Sequence, residues 1–112
     1  MVYRLSPQEA RELIANGEVD VVDVREPAEW STGHLPGARL VPLAELRSNP
    51  RTLTRDRVLF VCAAGVRSQT AARFAEQLGY SKLYSLDGGT RSWARAGLPL
   101  EQDEGELAAS AA

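Results

Sequence analysis

One stretch, from Arg57 to Gly79, constrains the fold of this chain more than any other. It opens with a nearly continuous apolar run over residues 57–61, which suits a central parallel strand covered on both faces. The run leads into Cys62, the single cysteine, and then through small and polar residues into a helical pattern. Such a turn surrounds the sulfur with backbone N–H groups and the positive end of a helix dipole, and both favour a thiolate. A cysteine that merely fills the end of a buried strand is the competing interpretation.

The rest of the chain alternates strand and helix patterns, which predicts an α/β domain with a mainly parallel sheet. Ser6 opens a capping box with proline at the first helical position, so we predict a helix over residues 7–16. The β-branched run 19–24 predicts a strand. In parallel sheets ligands bind at the carboxyl ends of the strands, where Cys62 would lie. Further strands are predicted near residues 3–5, 39–41 and 83–86, and further helices after Pro27, after Pro42 and from the Gly88-Gly89 turn through Trp93.

Length and composition limit the class of protein. The 112 residues fit one domain, which we predict over residues 1–100, followed by an acidic, alanine-rich and mobile tail over residues 101–112. One cysteine cannot form an internal disulfide, and the sequence shows neither a membrane-spanning run nor the apolar core of a signal peptide. We therefore expect a cytoplasmic protein without a membrane partner.

Positive charge concentrates around the cysteine. Residues 51–73 carry five arginines against Asp56 alone, whereas residues 1–50 carry five basic and eight acidic side chains. A locally positive region would favour a small anionic substrate, although a solvated surface explains scattered arginines equally well. The chain as a whole has a net charge of −2 and lacks the strong basic patch of a nucleic-acid-binding protein.

The residues after Cys62 favour a reactive site over a buried filler. Small residues let the backbone curl around the sulfur, Gly65 permits a positive φ, and Arg67 and Ser68 supply a fixed charge and a hydroxyl. A cradle of N–H groups of this kind binds a thiolate, or an anion attached to it. The predicted substrate loop comprises Ala63, Ala64, Gly65, Val66, Arg67 and Ser68.

Other catalytic arrangements lack the residues that they need. A cysteine hydrolase needs a base beside the thiol, and the single histidine, His34, lies in a glycine-rich loop far away in the sequence. One cysteine and one histidine do not make a metal site without carboxylates, and a CxxC redox pair is absent. We predict neither a metal nor a cofactor, and a thiolate that is stabilised by the backbone and the helix dipole.

Four segments of the sequence, in order, resemble the rhodanese (sulfurtransferase) family over about residues 4–100. Each segment alone is a weak signal, but four in family order are highly specific. The resemblance implies a single-domain rhodanese with a five-stranded, mainly parallel sheet flanked by helices on both faces. The segments are Asp23-Val24-Arg25-Glu26 with Glu29-Trp30, Gly33-His34-Leu35-Pro36-Gly37-Ala38, the loop from Cys62 to Ser68, and Leu86-Asp87-Gly88-Gly89 with Trp93 and Ala96-Gly97-Leu98-Pro99.

The resemblance also implies a sulfurtransferase that works through a Cys62 persulfide. The thiolate takes the outer sulfur of a donor, thiosulfate or another persulfide, and a thiol or cyanide then removes it in ping-pong covalent catalysis. Phosphatases that resemble this family have five residues between the cysteine and the arginine of the loop. Here four residues separate Cys62 from Arg67, which favours sulfur chemistry over phosphate chemistry.

One departure from the family pattern bears on the sulfur donor. Many active rhodaneses carry a basic or polar residue one or two places after the cysteine, where this chain has Ala63 and Ala64. The alternative hypothesis is therefore a non-enzymatic sulfur carrier or regulatory module. Such a module would exchange sulfur with a protein persulfide and would turn over little thiosulfate.

Other residues of these motifs are predicted to support the site rather than to react. Asp23 and Arg25 are expected to tie the end of the second strand to the Cys62 loop by charged hydrogen bonds. His34 is expected to pack or hydrogen-bond within its own loop. Asp87 is expected to cap the last helix or to hold the turn before it.

Overall fold

A five-stranded sheet between two layers of helices forms the protein, as a computed structural model shows for residues 1–53 and 57–102. The strands are β1 (Val2–Leu5), β2 (Asp20–Asp23), β3 (Arg39–Leu40), β4 (Arg57–Val61) and β5 (Lys82–Leu86). The helices are α1 (Pro7–Ala15), α2 (Pro27–Trp30), α3 (Leu43–Ser48), α4 (Val66–Gln77) and α5 (Gly89–Arg95), with a short 3-10 helix at Pro50–Thr52.

The strands follow the order β1-β5-β4-β2-β3, and every pair of described neighbours is parallel. The predicted fold class is therefore confirmed. The apolar run at residues 57–61 forms β4, the central strand, and its residues from Val58 to Val61 are buried. Since all strands run in one direction, the carboxyl end of β4 and the residues after β2 and β5 meet at one edge of the sheet.

Both faces of the sheet are covered, which explains why β4 is apolar at successive positions. Val58 and Phe60 pack into one buried cluster with Leu46 of α3 and with alanines of α4. Leu59 and Val61 pack into the other cluster, which includes Ala10 of α1 and Trp93 of α5. Within the described ranges no helix is long and apolar enough to cross a membrane.

The ends of the elements follow the local sequence. Ser6 accepts a hydrogen bond from the Glu9 N–H, the Glu9 carboxylate accepts one from the Ser6 N–H, and Gly17 follows the end of α1 at φ +68°.

At the other end of the chain, Glu101 exchanges two backbone hydrogen bonds with His34, at 2.7 and 2.9 Å. The predicted mobile tail therefore has its first residue bonded to the domain, and residues 103–112 lie outside the described part of the chain.

Candidate active site

The Cys62 sulfur lies directly after β4 and points into the turn that opens α4. Its side chain is buried, with 1% of the residue exposed. The sulfur accepts hydrogen bonds from the backbone N–H of Gly65 at 3.1 Å and of Ser68 at 3.3 Å. The cradle that the small residues predict is therefore present around the sulfur.

The sulfur takes the place of a helix cap. Gly65 is the N-cap residue of α4, at φ +95°, and it has no side chain with which to bind the free N–H groups of the first turn. Those groups usually bind the oxygen of an N-cap serine, threonine or aspartate. Here Ser68, the third residue of the helix, donates its N–H to the Cys62 sulfur instead. An anionic sulfur at this position satisfies a helix end that is otherwise uncapped.

Burial and hydrogen bonding act in opposite directions on the thiol. Burial favours the neutral form and raises the pKa of Cys62, but hydrogen bonds from the Ser68 side chain and from the N–H groups of Ser68, Gly65 and Ala64 outweigh it. The net result is a pKa below the ordinary value of a cysteine thiol. The Cys62 thiol therefore loses its proton at a lower pH than an unperturbed cysteine.

Two buried serine hydroxyls serve both protonation states of the sulfur. The Cys62 sulfur lies 3.5 Å from the Ser68 hydroxyl oxygen, which lies 2.7 Å from the Ser85 hydroxyl oxygen. With a neutral thiol, the S–H donates to Ser68 and Ser68 donates to Ser85. With a thiolate, both hydroxyl groups rotate and the direction of the hydrogen bonds reverses, so that Ser85 donates to Ser68 and Ser68 donates to the sulfur. The pair therefore accommodates loss of the thiol proton without leaving a buried group unpaired.

Ser68→Ala should raise the pKa of the Cys62 thiol, because the substitution removes one hydrogen bond to the thiolate and leaves the backbone donors. Such a bond to a charged group is worth about 1.5 kcal/mol, so at pH values below the midpoint alkylation by iodoacetamide should slow by up to about tenfold. The measurement is the alkylation rate against pH, whose midpoint should move to higher pH. Ser48→Ala is the control, since the Ser48 hydroxyl is exposed on α3 and bonds to the Glu45 carbonyl. An unchanged midpoint in Ser68→Ala would show that the hydroxyl does not stabilise the thiolate.

The rim of the loop is apolar and carries a paired arginine. Ala64 and Val66 are exposed, Val66 to 72%. Arg67 binds both carboxylate oxygens of Glu29, at 2.7 and 2.9 Å. Arg67 therefore lies beside the cysteine with its charge fixed in place, and a carboxylate from α2 pairs with it.

Asp23 and Arg25 form a buried ion pair at the end of β2, with side chains 0% and 4% exposed. Three contacts of 2.8 to 3.0 Å join the Arg25 guanidinium to the two Asp23 oxygens. Arg25 also donates to the backbone carbonyls of Glu29 and Gly33, at 3.2 and 2.8 Å. Among the described residues the pair bonds to the α2 segment and not to the Cys62 loop, so the expected direct tie to that loop is corrected. It reaches the loop through Glu29, which holds Arg67.

His34 is 6% exposed and faces α2. Its ring stacks on Trp30, with centroids 3.5 Å apart and planes 3° from parallel, and its Nδ1 lies 3.4 Å from the Trp30 carbonyl oxygen. In the part of the chain that the structure describes, its polar contacts are to Trp30 and Glu101 and do not include Cys62. His34 therefore packs as expected, but its partners are Trp30 of α2 and Glu101 rather than residues of its own glycine-rich loop.

Backbone N–H groups at the start of α5 donate hydrogen bonds to the Cys62 loop. The N–H of Thr90 donates to the Cys62 carbonyl at 2.9 Å, and the N–H of Arg91 donates to the Ala63 carbonyl at 3.1 Å. Asp87 does not cap this helix, whose N-cap residue is Gly88. Its carboxylate binds Arg4 and its N–H donates to the Leu5 carbonyl, because β1 pairs in parallel with β5 up to Leu5 and Leu86. The part of the prediction that assigns Asp87 a cap is therefore wrong.

A comparison with known proteins decides the family. The model of the rhodanese-like domain matches residues 6–96. The chain belongs to the rhodanese-like domain family. A relative named thiosulfate sulfurtransferase GlpE, from Ectopseudomonas mendocina, is 42% identical over 103 residues, which cover 91% of this chain and 93% of the relative. A relative named sulfurtransferase, from Allochromatium vinosum, is 35% identical and matches over 94% of this chain and 100% of its own length.

Solved structures of rhodanese-like proteins share the fold. The crystal structure of a rhodanese-related protein from Thermoplasma volcanium superposes with a TM-score of 0.82 at 32% identity, over 90% of this chain and 99% of that one. The family predicted from the four rhodanese motifs is therefore confirmed, together with the five-stranded sheet.

Three contributions to the rhodanese site were not assigned from the sequence. The sequence places Glu29 within a motif but does not identify it as the partner of Arg67. The signal for Ser85 is a small hydroxyl side chain between Tyr84 and Leu86 in β5. The N–H groups of Thr90 and Arg91 gave none beyond the Gly88-Gly89 turn that precedes them, since backbone groups do not depend on residue type.

Proposed function

We propose that Cys62 is the sulfur-carrying nucleophile of a rhodanese-type sulfurtransferase. The enzyme class agrees with the names of the relatives, thiosulfate sulfurtransferase and sulfurtransferase. The observation that carries the role of Cys62 is the position of its sulfur at the N-terminus of α4. There two backbone N–H groups and a serine hydroxyl lie within 3.5 Å of the sulfur.

The first half-reaction loads sulfur onto the enzyme. The Cys62 thiolate attacks the outer sulfur of the donor and forms a new S–S bond. With thiosulfate, the bond between its two sulfurs breaks and sulfite leaves with the electron pair. With a persulfide donor, the leaving group is the donor's thiolate. No general base is needed for the attack, because the thiolate is already stabilised by its hydrogen bonds.

The second half-reaction returns the thiolate. Cyanide or an acceptor thiolate attacks the outer sulfur of the persulfide, and the S–S bond to Cys62 breaks with its electron pair on Cys62. Between the two steps the loop, residues 63–68, would hold the anionic outer sulfur. Among the described residues, the N–H groups of Val66 and Arg67 have no protein acceptor, and both lie in the first turn of α4. They are available for that sulfur.

The supporting residues hold the segments around the Cys62 loop in position. We assign Asp23 and Arg25 to holding the α2 segment, through which Glu29 positions Arg67. His34 stabilises the same segment by stacking on Trp30. A reducing compartment, the cytoplasm, suits a reaction cycle that needs Cys62 as a free thiolate.

A second candidate function is a sulfur carrier that exchanges sulfur with protein persulfides and turns over little thiosulfate. The exposed apolar rim of Ala64 and Val66 and the neutralised Arg67 favour it, because none of them attracts a small dianion. The two functions share the Cys62 persulfide and differ in the donor and acceptor.

Sulfur loading tests the proposal. Intact-protein mass spectrometry after incubation with thiosulfate, or with a thiol persulfide, should show one added sulfur atom. Subsequent cyanide should remove it as thiocyanate. In Cys62→Ser the added mass should be absent and thiocyanate formation should fall to background. A wild-type protein that takes up no sulfur from any donor would contradict the proposal, and fast loading from protein persulfides with slow loading from thiosulfate would favour the carrier.

A further inference from the structure

The ion pair between Arg67 and Glu29 lies at the rim of the Cys62 loop. Both side chains are about one-third exposed, 37% and 35%, so the pair is in contact with solvent. Arg67 is the single charged side chain of residues 62–68. The hydrogen bond to Glu29 raises the pKa of Arg67 and burial opposes it, while the charges of Glu29, Cys62 and Asp23 raise it further. Arg67 lies in the first turn of α4, directly before Ser68, whose N–H donates to the Cys62 sulfur at 3.3 Å.

Glu29 is fixed in its position by several contacts. Its Oε1 also accepts the backbone N–H of Glu26 at 3.1 Å. Its backbone carbonyl accepts a hydrogen bond from Arg25, which the buried Asp23 holds in turn. The Arg67 hydrogen bond lowers the pKa of the Glu29 carboxyl to about 2, against an opposing effect of burial, so the carboxylate stays ionised throughout the physiological pH range. The pair is a built contact between α2 and α4, not a flexible surface encounter.

The Glu29 carboxylate neutralises the charge of Arg67 beside the Cys62 loop. An unpaired guanidinium beside the loop would attract an anionic donor, and this attraction would grow in proportion to the charge of the donor. A carboxylate that binds the same guanidinium removes most of that attraction. What remains for an anion is the set of backbone N–H groups of the loop and the α4 dipole. Neither alanine after Cys62 nor Val66 adds a charge.

We propose that Glu29 is a specificity-determining residue, which neutralises Arg67 and so makes the site favour sulfur donors of low charge, such as thiol persulfides, over small dianions such as thiosulfate. This inference rests on the proposed sulfurtransferase function. It assigns to Glu29 an electrostatic effect on donor choice in addition to its contact with Arg67.

Glu29→Gln tests the inference with two sulfur donors that differ in charge. Thiosulfate is a dianion and methanethiosulfonate is a monoanion, and both carry a transferable outer sulfur. The glutamine keeps the size of the side chain and an oxygen that accepts from Arg67, but it removes the negative charge. Because Coulomb energy is proportional to donor charge, kcat/KM should rise about tenfold for thiosulfate and about threefold for methanethiosulfonate. Added salt should reduce both gains.

Two further variants isolate the charge effect. Glu12→Gln removes an exposed carboxylate on α1, so it makes the same change in net charge without touching Arg67, and it should leave both values of kcat/KM unchanged. Glu29→Gln combined with Arg67→Gln restores a neutral rim. The ratio of the two kcat/KM values should then return to that of the wild type.

The outcomes separate the inference from the function on which it rests. Sulfur uptake from neither donor by the wild type, seen by mass spectrometry, would overturn the sulfurtransferase itself. Normal uptake with an unchanged donor ratio in Glu29→Gln would overturn the inference alone. An equal loss for both donors, with a lower thermal midpoint, would also overturn it, because it would show that Glu29 serves only to hold the structure.

Discussion

Arg25→Met should lower the free energy of unfolding by about 3–5 kcal/mol, one of the largest losses that a single side chain of this protein can cause. The substitution leaves the Asp23 carboxylate, which is fully buried, without its counter-charge. It also removes the donor to the Glu29 and Gly33 carbonyls. A buried unpaired charge destabilises a protein by far more than the intact ion pair stabilised it. The loss therefore reports the cost of keeping the Asp23 charge away from water, not the strength of its attraction to Arg25. Urea denaturation followed by circular dichroism gives the value.

The strand β2 contains its own control, because it both begins and ends with an aspartate that binds an arginine through two nitrogens. Asp20 binds Arg39 at 2.8 and 3.1 Å, but this pair is 13% and 39% exposed. Arg39→Met should therefore cost less, about 1–2 kcal/mol, because water partly screens the Asp20 charge, while the Thr52 carbonyl loses its donor. Equal losses in Arg39→Met and Arg25→Met would contradict the role of burial.

The double variant Asp23→Leu with Arg25→Met separates the unpaired charge from the lost hydrogen bonds. It has no buried charge, so it should regain a large part of the stability that Arg25→Met loses. The recovery should be incomplete. The Glu29 and Gly33 carbonyls still lack the guanidinium donor, and the backbone N–H of residue 25 lacks the Asp23 carboxylate. A double variant no more stable than Arg25→Met would show that those hydrogen bonds, not the charge, dominate the loss.

Local signals were sufficient to predict the elements of the fold. The run from Val58 to Val61 is apolar at successive positions because helices cover both faces of β4, and this pattern is readable without any partner. The capping box of Ser6 and Glu9 is equally local, since its two hydrogen bonds span three residues. The cradle around Cys62 was predicted for the same reason, because residues 62–68 form it almost alone.

Contacts between residues far apart in the chain could not be predicted from the sequence. Glu29 and Arg67 are 38 residues apart, and either could have faced the solvent. Ser85 reaches Ser68 only because β5 pairs with β4 in a register that places it beside Phe60. Asp87 precedes a helix, which favours a cap, but the parallel pairing of β1 and β5 brings Arg4 to it first. In each case the partner depends on the order and register of the strands, which hydrophobic periodicity does not determine.

Gly89→Ala should lower kcat/KM for sulfur transfer by about 100-fold, because it displaces the loop that carries Cys62. Gly89 adopts φ +63°, and a Cβ built on it would lie 2.3 Å from the Cys62 carbonyl oxygen and 2.5 Å from the carbonyl carbon and oxygen of Ala63. These are backbone atoms, so no side chain can rotate away. The hydrogen bonds from Thr90 and Arg91 to the same two carbonyls would have to lengthen or break.

Gly17→Ala is the matched control for this effect. Gly17 has nearly the same backbone conformation, φ +68°, but nothing lies within 4 Å of its added Cβ. Left-handed strain should cost each variant about 1–2 kcal/mol of stability, and the backbone clash should add a further loss in Gly89→Ala. Only Gly89→Ala should slow alkylation of Cys62 and sulfur loading. Equal activity in the two variants would show that the loop tolerates the displacement. A loss confined to Gly89→Ala would instead show that the Gly89 backbone helps to set the position of the sulfur, 27 residues away along the chain.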